Sequence, residues 1–194
     1  MKKLSVLVPS YNFGKYIEGC INSIYKQQTN FEFDVIVRDD GSTDDTKEKL
    51  RFLELKYPNL IILNGDENIG AFDNIKLLYE TANSEYVAYL DGDDSFGDVD
   101  KLQKQVDFLD NNPDYVMHFT GCRYLHEDGT IFPNDTRVIC SVKTDINTKD
   151  LLDSNYVGFG RMFRKISNIF KDKYKDLPYV DWPTSYELSK HGLI

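Results

Sequence analysis

The sequence predicts an α/β protein with a Rossmann-like, mostly parallel sheet flanked by helices in a single domain. Three observations point there. Over roughly the first hundred residues, short apolar runs alternate with segments of helical periodicity, the pattern of repeated βα units. Polar clusters follow these apolar runs instead of interrupting them. A length of 194 residues suits one substantial core and leaves little room for a second full domain.

Leu4 to Val8 reads as the first strand, and Tyr16, Ile17, Cys20, Ile21, Ile24 and Tyr25 then recur at helical spacing. Val35-Ile36-Val37 is the second strand. A helix is expected from about Thr43 to Tyr57, with Ser42 as its N-cap and Asp45 near the positive end of its dipole. Leu60 to Leu63 supplies a third strand. Between Ala71 and Ala82, residues Ile75, Leu78, Tyr79 and Ala82 share one helical face, and Tyr86 to Leu90 forms the fourth strand. Pro113 marks a break after a helix carrying Leu102, Val106 and Leu109. Beyond it, Tyr115 to Phe119 reads as a strand, Glu127-Asp128-Gly129 as a turn, and Ile131 to Asn155 as short strands mixed with loop.

Charge narrows the function. With 32 acidic against 23 basic residues, a formal charge of −9 and a pI near 4.8, the surface should repel nucleic acid and anionic lipid. Cys20, Cys122 and Cys140 are scattered and odd in number, which suggests neither a disulfide framework nor a zinc site and reads as reduced thiols in a cytosolic protein. The opening apolar run stops at Pro9, too short for a signal peptide. No stretch approaches the ~18 apolar residues of a membrane span.

The run Asp91-Gly92-Asp93-Asp94 sets three carboxylates where a buried strand should end. Clustered carboxylates repel unless protonated or bridged by a cation, and Mg²⁺ or Mn²⁺ takes such ligands together with phosphate oxygens and water. A solvated acidic turn has the same composition. An EF-hand is excluded, because Phe96 and Leu102 stand where its loop needs Gly and Glu. The acid run has company, however. Pro9-Ser10-Tyr11-Asn12, Asp39-Asp40-Gly41-Ser42 and the Asn64 to Asn68 segment also follow strands, and ligands of open parallel sheets bind at that edge. Turn chemistry accounts for the Gly and Asn there, but not for five aspartates. Walker A, dinucleotide-binding and nucleophile-elbow motifs are absent, and His126-Glu127 lacks the second His of a zincin.

Taken in order, Ser5 to Asn12, Val35 to Thr43, Asn68-Ile69-Gly70 and Asp91 to Asp94 resemble the successive motifs of the inverting family-two glycosyltransferases, enzymes of the GT-A fold. Val180-Asp181-Trp182-Pro183, leading through Glu187-Leu188 to His191-Gly192-Leu193-Ile194, resembles the segment carrying that family's catalytic base. The resemblance spans nearly the whole chain. It implies Pro9, Tyr11 and Asp40 around the nucleotide base, Asp39 supporting that loop, and Asn68 and Asn74 lining the donor pocket. It also implies Asp91 on the ribose or donor sugar, Asp93 and Asp94 on Mn²⁺ or Mg²⁺, and Asp181 as the base that deprotonates the acceptor. Two positions depart from the pattern: Val180 replaces an acidic residue and Asp73 an Arg.

The expected function is therefore metal-dependent, inverting transfer of a sugar from a nucleoside diphosphate sugar, a UDP-sugar by preference, to a saccharide or other hydroxyl acceptor in polysaccharide or glycoconjugate synthesis. Residues 1–112 would bind the donor, and residues 113–194 would form an acceptor side that is incomplete at its C-terminus. A bacterial-type enzyme of the cytoplasm is implied, either free or peripheral to the inner face of the membrane. The alternatives are a non-catalytic nucleotide-sugar-binding module and a nucleotidyltransferase. The latter usually opens with a basic, Gly-rich loop, which Pro9 to Lys15 matches poorly. Asp181 before Trp182 and Pro183 also reads as a helix N-cap with Pro183 at the first helical position, and Trp182 as a core or pocket-wall residue.

Overall fold

The computed structural model describes residues 2–63, 65–126, 130, 144–157 and 159–194. Its first half alternates strand and helix as the periodicity requires: β1 (Lys2–Ser10), α1 (Ile17–Tyr25), β2 (Phe33–Asp39), α2 (Thr46–Lys56), β3 (Leu60–Leu63), α3 (Ala71–Thr81), β4 (Ser84–Tyr89) and α4 (Lys101–Asn111). Then come β5 (Met117–Thr120), α5 (Thr148–Asp153), β6 (Phe159–Arg164), a 3₁₀ turn at Asp172–Tyr174 and α6 (Asp181–Ser189).

Among the described residues one six-stranded sheet forms, with the order β3-β2-β1-β4-β6-β5. β1 pairs in parallel with both β2 and β4, so the order reverses between β2 and β4 at β1, the kind of switch point at which open parallel sheets bind their ligands. β6 runs antiparallel to β4 and β5, with Val87 opposite Phe163 and Ala88 opposite Met162. Its first residues therefore reach the edge where β1, β2 and β4 end. The mostly parallel sheet holds, but the segment that becomes β6 carries no strong strand signal and is absent from the sequence reading.

Both faces of the central strands are buried, as parallel strands between helix layers require. Val6, Val8, Val37 and Ala88 pack on one face with Ile17, Ile21 and Leu102 of α1 and α4. Leu7, Ile36, Val87 and Tyr89 face the other way, against Leu78 of α3 and Leu188 of α6. The end of α6 is fixed by backbone pairing: the Ile194 N–H donates to the Ile146 carbonyl at 3.0 Å, the Ile146 N–H returns the bond at 2.8 Å, and the Val116 N–H donates to Leu193 at 2.8 Å.

Three local expectations are corrected. Ser42 does not cap α2: its hydroxyl donates to the buried Asp39 carboxylate, and the helix starts at Thr46, whose N–H donates to Asp44 at 3.0 Å. A buried acceptor competes better for that hydroxyl than an exposed helix end. Thr148–Asp153 is a helix instead of strand and loop, closed by a capping box in which Asn147 and Asp150 each accept from the other's backbone end. Asp181 is the first residue of α6 and not its cap; Val180 holds the cap position and Asp181 makes no capping bond. The predicted turn at 127–129, residues 131–143 of the irregular segment, and Asn64 lie outside the described residues.

Candidate active site

The loops at the strand ends are bound to one another. The Asn12 N–H donates to the Ser42 hydroxyl at 2.8 Å, and the Asn12 side-chain oxygen accepts from the Thr43 N–H at 2.8 Å. Gly41 has φ of +74°, and a Cβ there would lie 2.8 Å from the Asn68 nitrogen, so only glycine lets the loops after β2 and β3 meet. Asp40, 3% exposed, accepts from Arg38 at 2.5 Å and from the Ile69 and Gly70 N–H groups at 3.0 Å each. Asp39 is likewise buried and accepts from the Ser42 N–H at 3.0 Å.

The acid run leaves β4 beside β1, where the Gly92 N–H donates to the Pro9 carbonyl at 3.1 Å. Asp91, Asp93 and Asp94 all reach solvent. Asp91 and Asp94 are nevertheless walled by protein. Desolvation and then the neighbouring carboxylates push the Asp94 acid up to about 6. Burial also raises the Asp91 acid; Arg161 opposes the shift, while Asp93 and Asp181 add to it. Beneath them lies Cys20, whose thiol is pushed well up by burial and then by Asp94, Asp91 and Asp93. Among the described residues, no group of three His, Cys, Asp or Glu side chains is arranged to hold a metal ion by itself.

Asp181 is near enough to add to the rise of the Asp91 acid, so the start of α6 comes to the acid run across some 90 residues of sequence. Asp181 is half-buried, and its carboxylate accepts from the Asn155 side-chain amide at 3.2 Å. Its carbonyl accepts from the Ser185 hydroxyl at 2.8 Å, which tightens the first turn. Trp182 donates to the Leu151 carbonyl at 2.8 Å and so ties α6 to α5, in keeping with a half-buried packing residue.

The other predicted residues lie on the same edge. Tyr11 is 43% exposed and Pro9 half-buried. Asn68 is exposed, its side chain accepting from the Gly70 N–H at 3.0 Å. Asn74 is buried in the first turn of α3, and its side-chain oxygen has no hydrogen-bond partner among the described residues. Asn155 and Arg161 are absent from the sequence reading. No motif marks them, and only the reversed direction of β6 and the fold of the α5–β6 connection bring them here. A separate hollow of about 500 Å³, lined by Lys76, Tyr79, Lys165 and Asp172 among others, contains none of the predicted residues.

Several known proteins are similar to this chain. An uncharacterised protein of Mycobacterium tuberculosis is 32% identical over 184 residues, covering 92% of this chain and 51% of that protein. The putative teichuronic acid biosynthesis glycosyltransferase TuaG of Bacillus subtilis is 35% identical over 127 residues, 66% of this chain and 49% of TuaG. The chain thus spans about half the length of the curated relatives it matches. Among solved structures, S. aureus TarS 1-349 in complex with UDP-GlcNAc superposes with a TM-score of 0.63 at 26% identity, over 84% of this chain and 45% of that one. The mannosyltransferase PcManGT of Pyrobaculum calidifontis, solved with GDP-Man and Mn²⁺, shares the fold with a TM-score of 0.63 at 21% identity, over 84% of this chain and 44% of that one. No described helix is long and apolar enough to cross a membrane. The model of the family described as glycosyl transferase family 2 matches residues 5–169, which takes in every strand-end motif and β6 but not Asp181. On that match, and with its GT-A sheet, the chain belongs to glycosyl transferase family 2.

Proposed function

We propose that this chain carries the catalytic site of an inverting glycosyltransferase that moves a sugar from a nucleoside diphosphate donor, a UDP-sugar by preference, to a hydroxyl acceptor. One observation carries the reading: a lone half-buried carboxylate, Asp181, stands within electrostatic range of a separate carboxylate run at a topological switch point. Single displacement needs those two parts. One base takes the acceptor proton, and one centre stabilises the departing diphosphate. Asp181 suits the first, with Asn155 orienting it where the expected acidic neighbour is replaced by Val180.

For the second, Asp93 and Asp94 fit a divalent cation. The strain among the acidic groups is relieved by a positive charge, and too few protein ligands close a site on their own, which leaves positions for diphosphate oxygens and water. Bound there, Mn²⁺ or Mg²⁺ would supply Lewis-acid stabilisation and orientation. Pro9 and Tyr11 would flank the base, with Asp40 acting through the 66–70 loop that it holds. Asn68 and Asn74 would line the donor pocket, and Asp91 would take the ribose or sugar. The UDP-GlcNAc complex of TarS supports a uridine donor. The residues up to 112 would form the donor part and residues 113–194 the acceptor side.

The test is sugar transfer from a panel of UDP-sugars, with UDP binding followed in parallel. Asp181→Asn should keep UDP affinity within a few-fold and lower transfer by about 10² to 10⁴. Transfer near the wild-type rate would make another group the base. UDP binding without transfer by any version of the chain, including one extended past Ile194, would favour a binding module.

A further inference from the structure

β6 carries two arginines with different surroundings. Arg164 is consumed by structure, donating to the Tyr115 carbonyl at 2.9 Å, the Leu109 carbonyl at 2.6 Å and the Tyr86 hydroxyl at 3.0 Å. Arg161 is half-buried and lies over the Tyr89 ring, with its guanidinium carbon 5.8 Å from the ring centroid. Among the described residues it has no carboxylate within 4.0 Å. The register puts it one step past the Ala88–Met162 pair, on the same face as Tyr89 and Phe163, which is the face covered by α6. It is thus a cation held by an aromatic face, at the edge where Asp91 and Asp181 converge, and among the described residues its hydrogen-bonding fork is unspent.

The strand start that carries it is fixed. Gly160 has φ of +60°, and a Cβ there would lie 2.3 Å from the Thr120 hydroxyl, so the position admits only glycine. Its carbonyl accepts from Gln105 at 2.9 Å and from Lys101 at 3.2 Å, both buried side chains of α4. Lys101 also sits 4.4 Å from the centroid of Phe96, which follows the acid run. α4 therefore grips the acid loop and the start of β6 together. A guanidinium kept at a set distance from an acidic loop without pairing to it is suited to a planar oxyanion, which its parallel N–H groups match.

We propose that Arg161 binds an oxyanion of the substrate, a phosphate or carboxylate, at the strand-end edge that it shares with Asp91 and Asp181. This rests on the donor-site reading above and adds to it a cation on the α6 side. The oxyanion comes either from the diphosphate of the donor or from a charged acceptor, and the two sources separate experimentally.

Isothermal titration of the whole 194-residue chain, at constant Mn²⁺, would use three probes: uridine, UDP, and glycerol 3-phosphate added to UDP-saturated protein. Arg161→Gln should weaken one of the two anions by about 10- to 100-fold and leave uridine within twofold, with Arg161→Lys recovering part of the loss. A loss confined to UDP assigns the oxyanion to the donor, and a loss confined to glycerol 3-phosphate assigns it to the acceptor. Unchanged affinity for both anions, in a protein whose wild type binds UDP, overturns the role of Arg161 and leaves the donor site standing. An equal loss for uridine also overturns it, since the whole pocket would then have changed. A wild type that binds neither UDP nor uridine removes the donor-site reading and this one with it.

Discussion

Arg38 and Asp40, two residues apart at the end of β2, form a buried ion pair with a nitrogen–oxygen distance of 2.5 Å and side chains 6% and 4% exposed. The same carboxylate holds the Ile69 and Gly70 N–H groups, so one side chain joins the strand end to the loop after β3. Asp40→Ala would leave a guanidinium buried without its partner and two N–H groups unfilled. The expected loss is about 3 kcal/mol of unfolding free energy in urea, with weaker UDP binding even in the absence of metal, because the 66–70 loop loosens. A loss below ~1 kcal/mol with unchanged UDP affinity would deny Asp40 this bracing role.

Asp94 gives a pH dependence with a definite sign. Its acid group sits at about 6 in the fold against 3.8 ordinarily, so the folded chain holds that proton more tightly than the unfolded one. Stability from this group is present at low pH, is lost as pH rises between those two values, and is absent at neutrality. Asp94→Asn should therefore raise the melting temperature of the metal-free protein at pH 7 and leave it unchanged near pH 3.5. Equal effects at both pH values would mean that Asp94 does not titrate as described.

Asp93 separates a cation site from an acidic turn. UDP at ~100 times its dissociation constant should stabilise the wild type by about 2.7 kcal/mol in Mn²⁺ and markedly less in EDTA. Asp93→Ala should abolish the difference between the two conditions while the ligand-free protein melts no lower than wild type, since the change removes a repelling charge. A variant that retains the full Mn²⁺-dependent shift would reduce the run to a turn.

Lys101 acts in the opposite sense to Asp94. Burial lowers its ammonium to about 7 from 10.5, so the unfolded chain binds the proton more tightly across that interval and stability rises with pH there. The slope approaches ~1.4 kcal/mol per pH unit for one proton. Lys101→Met, read as the difference from wild type between pH 7.5 and 9.5, should remove that slope, because the tyrosines and Cys20 titrate alike in both proteins. A constant difference across the range would place the charged amine in solvent.

The parallel half of the fold was legible from residue pattern alone. β1 to β4 and the helices between them repeat apolar residues at periods set by backbone geometry, and a strand buried on both faces must be apolar throughout. The ends of those strands were legible for the same reason: five aspartates and several glycines at one edge are costly unless put to use. Local capping was less legible, and Ser42 shows why. A hydroxyl that would cap an isolated helix goes instead to Asp39, an acceptor buried only once β2 is packed in the sheet. Asn155 and Arg161 left no trace in the pattern. Neither belongs to a periodic face or a spaced motif: Arg161 comes to the acid run through the reversal of β6, and Asn155 comes to Asp181 through the packing of α5 on α6. Which carboxylates form the cluster is thus a property of local sequence. What comes to face them depends on long-range pairing, because charged groups from distant segments meet only after the sheet has assembled.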